Sequence, residues 1–312
     1  MPDYSHWSRY WSRGCLTSLP QDFSRNYDGE VAAFWSRQFD ALDAGAELLD
    51  VCTGNGALAL LAAAYSRRVP KALAVTAIDA ARVDPQAVSR AHPDAASLMD
   101  DIRFVDQTPF EQCSLPSGAY DLVMSQYGIE YCDWSSAATR VHELLRPGGR
   151  LVIVAHASES DMIRTMQREA GEFAVLDELR LFDVLGEFAG ASMTPAQLHE
   201  ALERIGPALF QRHRQSASEL FRYVLGLADQ LLSLRGEPLA GRRSAVADTL
   251  AELLAARGRL QDMLRVNEAI AARPDWTREF ERAGLERIDS GKLLYGDHHH
   301  MGTWHHLEKP LT

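Results

Sequence analysis

The run Glu47-Leu48-Leu49-Asp50-Val51-Cys52 passes directly into Thr53-Gly54-Asn55-Gly56 and then into Ala57-Leu58-Ala59-Leu60-Leu61. A short apolar run bounded by glycine reads as a buried strand, and the alanine- and leucine-rich run after it as a helix. This order constrains the fold more than any other feature, because a buried strand that feeds a helix has to meet its neighbour through a crossover and therefore pairs in parallel. The pattern recurs along the first half of the chain. ALAVTAID (72–79) precedes the helix-like VDPQAVSRAH, DIRFV (101–105) and AYDLVMS (119–125) read as further strands, and the amphipathic WSSAATRVHELL leads through Arg146-Pro147-Gly148-Gly149 into RLVIVAH (150–156). The expected fold class is α/β, an open sheet covered on both faces.

After His156 the texture changes. Residues 159–272 hold helical runs, among them ALERIGPALFQRHR, SELFRYVLGLADQLLSL and SAVADTLAELLAARGRLQDMLRVNEAIAA, punctuated by Pro195, Pro207, Pro238 and Gly241, with no fixed-period repeat. The tail returns to α/β character: WTREFERAG reads as a helix ending at Gly284, and LERIDSGKLLYG with MGTWHHLEKP reads as an antiparallel hairpin completing the sheet.

With 46% hydrophobic residues in 312, the chain has enough apolar side chain for a full core. A net charge of −11 and a pI near 5.5 disfavour a polyanionic partner, so no nucleic acid is expected and a small-molecule substrate is. Cys15, Cys52, Cys113 and Cys132 are scattered without a CxxC pair, which fits a reduced cytoplasm better than a disulfide framework or zinc site. The aromatic and charged start MPDYSHWSRYWSRG lacks the apolar core of a signal peptide, and no run reaches membrane-span length, so no membrane is expected.

The chemistry concentrates at the strand ends. Gly54 and Gly56 permit a tight turn and a close backbone approach, and N–H groups opening the helix favour a negative group on a ligand. Asp50 disfavours a pyrophosphate there and favours a ligand that also bears an ammonium. Asp79, 23 positions past Gly56 at the end of the next strand, suits two ribose hydroxyls, and Asp106-Gln107 after the third strand suits the amine and ring nitrogen of adenine. Amino acid, ribose and adenine together describe S-adenosylmethionine.

These residues make the chain resemble a class I S-adenosylmethionine-dependent methyltransferase of the small-molecule branch. The acidic and glycine-bearing loop Asp50–Gly56, the acids Asp79 and Asp106, the strand-4 stretch AYDLVMSQYGIEY and the turn ELLRPGGRLVIV match its motifs in order, over residues 47–156 and more loosely 276–308. Cys52 departs from the pattern by standing where many members carry the first glycine. The resemblance implies a doubly wound, mostly parallel, seven-stranded Rossmann-like sheet with a large helical insertion after strand 5. It implies a lid segment at 1–46, a cofactor domain at 47–157 and 274–312, and a substrate-recognition insertion at 158–273 that forms a cap or a homodimer contact. S-adenosyl-L-methionine would be held by Asp50, Thr53, Gly54, Asn55, Gly56, Asp79, Ala80, Asp106, Gln107 and Gln126.

The resemblance implies in-line methyl transfer to an O, N, C or S atom of a small molecule, which needs an aligned nucleophile, exclusion of water and, for O–H or N–H acceptors, a base. Gln126, Tyr127, Glu130, Tyr131 and His156 emerge together beyond strands 4 and 5. Glu130 could hold an amine or act as base, and Tyr127 and His156 complete the candidate catalytic set; the ordinary alternatives are a turn cap and a satisfied strand-end histidine. Tyr27 and Trp35 are candidate lid contacts, with packing on the sheet as the alternative. Arg212, Arg214, Arg242 and Arg243 read as a solvated face rather than an anion site. Asp297-His298-His299-His300 and His305-His306 could bring imidazoles together across a hairpin, but a polar or solvated edge explains them as well, and no metal is assigned. Two competing functions stay open: a nicotinamide oxidoreductase, since Ala59 completes a GxGxxA pattern, and a non-catalytic partner retaining the fold.

Overall fold

Apolar runs ending at glycine or at a polar residue become strands, and the alanine- and leucine-rich runs between them become the covering helices. The computed structural model describes residues 3–18, 23, 25–296 and 299–311. Helices α1 (Ser5–Trp11) and α2 (Gly29–Asp40) precede the alternation β1 (Glu47–Val51), α3 (Ala57–Arg68), β2 (Ala74–Ile78), α4 (Pro85–Ala91), α5 (Pro93–Met99) and β3 (Ile102–Val105). It continues through β4 (Tyr120–Gln126), α6 (Trp134–Leu144) and β5 (Leu145–Ala155). Next come α7 (Asp161–Glu178), α8 (Leu181–Ala189), α9 (Pro195–Ser216), α10 (Glu219–Leu232), α11 (Gly236–Ala240) and α12 (Arg243–Ala272), then α13 (Arg278–Arg282) and the hairpin β6 (Glu286–Tyr295) and β7 (His299–Glu308).

Among the described residues the seven strands form one sheet in the order β3-β2-β1-β4-β5-β7-β6. β1 to β5 pair in parallel, and β7 runs antiparallel between β5 and β6. Because successive residues of a strand face opposite sides, the central strands split their side chains between two apolar layers. Leu48, Leu122, Met124, Val152 and Val154 pack with residues of α2 and α3, whereas Leu49, Val123, Leu151 and Ile153 pack with residues of α6 and α13. Helices thus cover both faces. The reversal of strand order between β1 and β4 opens a crevice at the carboxyl ends of these strands, the place where open α/β sheets take their ligands.

The turn expected at Arg146–Gly149 is instead part of β5. Leu145 already pairs with Tyr120, the Gly148 N–H donates to the Lys309 carbonyl (2.8 Å), and Lys309 returns a bond to the Gly149 carbonyl (2.8 Å). The register shift between Tyr120 and Leu122 absorbs the extra residues as a bulge.

Contacts divide the chain into two units, 1–163 with 265–312, and 164–264. The cuts fall within α7 and α12, whereas the composition change places the boundaries near 157 and 273. In the second unit Leu185, Phe188, Leu198 and Leu202 are fully buried. Pro195 opens α9 at its first turn, where Thr194 and Gln197 form a reciprocal cap, but Pro207 lies inside the helix and does not end it. Arg243 is not part of a solvated face: it donates to the Phe188 and Met193 carbonyls and lies over the Phe188 ring. An open groove of about 430 Å³ runs past Glu219, Arg222, Tyr223 and Gln230 on α10 to Thr249 on α12. No helix among the described residues is long and apolar enough to cross a membrane.

Trp35, on the inward face of α2, is completely buried, packs against Phe34 and Phe39, and donates its indole N–H to Gln126 Oε1. Trp35→Ala should cost about 3–5 kcal/mol by urea unfolding, the scale of a large buried aromatic removed. A loss below about 1 kcal/mol would remove Trp35 from the core and return it to the role of a mobile lid contact.

Candidate functional site

The site grows from the turn between β1 and α3. Cys52, Gly54 and Gly56 all have positive φ (57°, 55° and 88°), so the backbone coils tightly before α3 begins. Both glycines are also required by space: a Cβ on Gly54 would lie 2.5 Å from the Trp11 ring, and one on Gly56 would lie 2.9 Å from Phe104. Helix α1 therefore lies on the loop. Trp7 stacks on Trp11 at 6.0 Å and meets Tyr131 edge-on at 6.2 Å, so aromatic side chains wall the crevice from this side. The signal for this was the i, i+4 spacing of Trp7 and Trp11, while Tyr27 and Trp35, the expected lid contacts, are buried in the core.

Asp50 turns inward beneath the loop. Its Oδ2 accepts from Thr53 Oγ1 (2.5 Å) and from the Ala59 N–H (3.1 Å), fastening the turn and the first helical turn to the end of β1. Burial pushes its pKa up to about 7, against the opposing pull of those two hydrogen bonds. Asn55, fully buried, donates to the Trp11 and Cys15 carbonyls (2.8 Å each) and accepts from the Asp84 N–H (2.9 Å). Its side chain is thereby spent on holding α1 and the start of α4, and only its backbone faces the turn.

Asp79, half-buried at the end of β2, accepts from the Gly54 N–H on Oδ2 (2.7 Å) and from the Ala81 N–H on Oδ1 (2.8 Å). Burial raises its pKa to about 6, and the neighbouring Asp106 adds to the rise. Ala80 follows at the rim, also half-buried. Asp106 accepts from Gln107 Nε2 (3.2 Å), and Gln107, at φ 52°, projects into solvent. Asp50, Asp79 and Asp106 thus stand at the carboxyl ends of three neighbouring strands, β1, β2 and β3.

Beyond β4 and β5 lies a second polar cluster. His156 Nδ1 is 2.7 Å from Glu130 Oε1, which also accepts the His156 backbone N–H (3.0 Å), and both side chains are almost wholly buried. In the tautomer whose Nδ1 donates to that carboxylate oxygen, Nε2 is the ring's acceptor. Glu130 Oε2 and Gln126 Nε2 are buried with no hydrogen-bond partner. Tyr127, at φ 55°, donates its hydroxyl to the Met301 carbonyl (2.9 Å) and packs its ring 4.9 Å from that of His156, with Tyr131 on another side at 5.8 Å. The Tyr127 hydroxyl is therefore committed to the backbone, and its ring braces the imidazole. Tyr27 presents a buried phenol whose pKa is pushed far up by desolvation and by the charges of Asp50 and Glu130. The structure brings Gln126, Tyr127, Glu130 and His156 together, and Tyr27 is close enough to feel both this cluster and Asp50.

The histidine-rich tail is dispersed. His305 is buried, and burial with the nearby Arg287 pushes its pKa down to about 4, so it is neutral. His299 is exposed, His298 lies outside the described residues, and no group of three or more metal-binding side chains occurs among the described residues.

A family model of methyltransferase domains matches residues 23–215, more than half of the chain. Demethylmenaquinone methyltransferase of Thermus thermophilus is 32% identical over 108 residues, which cover 34% of this chain; the chain spans about half (46%) of that relative's length. Among solved structures, geranyl diphosphate C-methyltransferase from Streptomyces coelicolor A3(2) is 17% identical at a TM-score of 0.36, over 50% of this chain and 66% of the other. Phosphoethanolamine N-methyltransferase 2 of Haemonchus contortus is 13% identical at a TM-score of 0.40, over 99% and 57%. The chain belongs to the methyltransferase-domain family, the S-adenosylmethionine-dependent methyltransferases that its ordered motifs resemble.

Proposed function

We propose that this chain moves a methyl group from S-adenosylmethionine to a proton-bearing small-molecule acceptor, with the Glu130–His156 pair as the base. The observation that carries the reading is the buried pair itself: an imidazole oriented by one carboxylate oxygen, with the other oxygen buried and unpartnered, at the carboxyl ends of β4 and β5. Leaving a polar oxygen unpaired inside a protein is costly, and such groups mark places where a ligand supplies the missing partner.

The donor set fits the cofactor. Thr53, Gly54, Asn55 and Gly56 offer a coiled backbone, and the buried Gln126 Nε2 offers an unpaired donor for a carboxylate. Each Asp79 oxygen accepts one backbone N–H and keeps a second lone pair for a ribose hydroxyl. Ala80, Asp106 and Gln107 line the adenine side. Asp50 acts from beneath the loop, as negative charge toward an ammonium, and not through a displaced hydrogen bond. When bound, S-adenosylmethionine supplies a methyl carbon on an activated sulfonium. The chain's own tasks are then to orient the acceptor, to exclude water behind the aromatic wall of Trp7, Trp11 and Tyr131, and to take the acceptor's proton on His156 Nε2 or Glu130 Oε2. Tyr127 holds the imidazole plane.

The acidity of the chain and the burial of the base support a small-molecule acceptor. Thermal shift with S-adenosylhomocysteine against NAD separates this reading from a nicotinamide oxidoreductase. Stabilisation by NAD alone would overturn it.

Asp79→Ala should weaken S-adenosylhomocysteine binding by about 1–3 kcal/mol in calorimetry, the scale of a lost charge-assisted acceptor. An unchanged dissociation constant removes the ribose role. A carboxylate accepts hydroxyl donors best when ionised, and with the Asp79 pKa at about 6 the affinity should rise as pH is raised from 5 to 7.5. The same titration on Asp79→Asn should be flatter; an identical profile would assign the pH dependence elsewhere. Glu130→Gln should lower kcat about 10²–10⁴-fold on any accepted substrate while leaving cofactor affinity within a factor of about two, as expected for a base. A parallel loss of cofactor affinity would make Glu130 a binding residue instead.

A further inference from the structure

Two thiols that the reaction does not use lie against each other beside the glycine turn. Cys52 Sγ lies 3.8 Å from Cys132 Sγ, and both residues are half-buried. Cys52 is the first residue of the glycine turn and sits at φ 57°; Cys132 ends the short 3-10 turn Ile129–Tyr131 that carries Glu130. The contact with Cys132 and burial push the Cys52 thiol up, and the charges of Asp79 and Glu111 add to the rise. The backbone at Gly128 closes one side: a Cβ there would lie 2.5 Å from Cys52 Cβ, so the thiol of Cys52 cannot withdraw in that direction. The remaining two cysteines are elsewhere, Cys113 buried and Cys15 beside Asn55 through its carbonyl.

We propose that Cys52 and Cys132 form a reversible disulfide that joins the glycine turn to the segment carrying Glu130 and thereby weakens cofactor binding. The oxidant class is a small hydroperoxide. One sulfur attacks the terminal oxygen of hydrogen peroxide and becomes a sulfenic acid with release of water; the second sulfur displaces the hydroxyl, and a second water leaves. Two thiols are oxidised by two electrons, one peroxide is reduced, and both thiol protons end in water. A dithiol reductant reverses the bond by exchange. A disulfide needs the sulfurs at about 2.0 Å, so they approach by roughly 1.8 Å, which a half-turn loop and a three-residue 3-10 turn can supply without unfolding a strand. The cost falls on the turn whose Gly54 N–H is set by Asp79, the turn to which the function proposed above assigns the cofactor.

This consequence for cofactor binding rests on the function proposed above; the bond itself does not. The test treats the full chain with hydrogen peroxide, then alkylates, digests and weighs the peptides. A Cys52–Cys132 linked pair, two fewer titratable thiols in denaturant, and an S-adenosylhomocysteine dissociation constant raised at least tenfold and restored by dithiothreitol support the proposal. The Cys132→Ser variant should bind as the reduced protein does and keep that affinity after peroxide. Absence of the linked peptide, or its presence with affinity unchanged within twofold, overturns it. If the reduced protein does not bind S-adenosylhomocysteine, the functional reading fails, and the coupling is read by hydrogen exchange instead. Slower exchange at Gly54 and Asn55 on oxidation then supports the link to the turn, and unchanged exchange overturns it.

Discussion

Two carboxylates hold one turn. Asp50 takes the Thr53 hydroxyl of the tight coil and the Ala59 N–H of the first turn of α3, and Asp79 takes the Gly54 N–H of the coil and the Ala81 N–H beyond β2, donors that have no partner within the helix or sheet. Removing either acid would leave buried N–H groups unpaired, which is why the turn keeps its shape although both acids are desolvated. Asn55 extends the same arrangement outward, since its three bonds fix α1 and the start of α4 relative to the turn. The position of the aromatic wall over Gly54 thus depends on an amide side chain on the other side of the backbone.

The second cluster is built on the opposite principle. Asp50 and Asp79 each take two donors from the turn and its neighbours, whereas Glu130 has one oxygen with two donors from His156 and one with none, and Gln126 spends its oxygen on Trp35 and leaves its nitrogen idle. Well-satisfied groups hold structure; half-satisfied buried groups cost stability and persist where a ligand repays them. The division of labour between a locked turn and an open pair follows from this count of partners.

The alternation of strands and helices was legible because burial imposes period on sequence: the five parallel strands, the terminal hairpin and the helical block each carry their own apolar spacing. Partners distant in sequence were not. Nothing local says that Asp50 bonds inward to Ala59 rather than outward to a ligand, that Asn55 reaches residues 44 and 40 positions earlier, or that Cys52 meets Cys132. The Arg146–Gly149 stretch reads as a turn by composition, yet the approach of Lys309 from the last strand supplies hydrogen bonds that make it part of β5. Pro207 reads as a break, but its missing N–H costs one bond in a helix of 22 residues whose buried face continues on both sides. Of the candidate site, the residue types at the strand ends were readable and their orientations were not.

The raised acids bear on which ligand the crevice accepts. With pKa values of about 7 and 6, Asp50 and Asp79 are both poised near neutrality, so a ligand's charge decides how much protonation the site retains. A positively charged ligand stabilises the ionised forms and recovers part of the desolvation cost; a diphosphate would push both acids further toward the neutral form, and with Asp106 close by no basic side chain of the turn would offset its charge. The inward turn of Asp50 does not weaken this selection, because Coulomb attraction across a buried, coiled backbone needs proximity and low screening and not a direct bond. A sulfonium-bearing amino-acid nucleoside, the ligand class proposed above, meets that condition with its sulfonium and its ammonium.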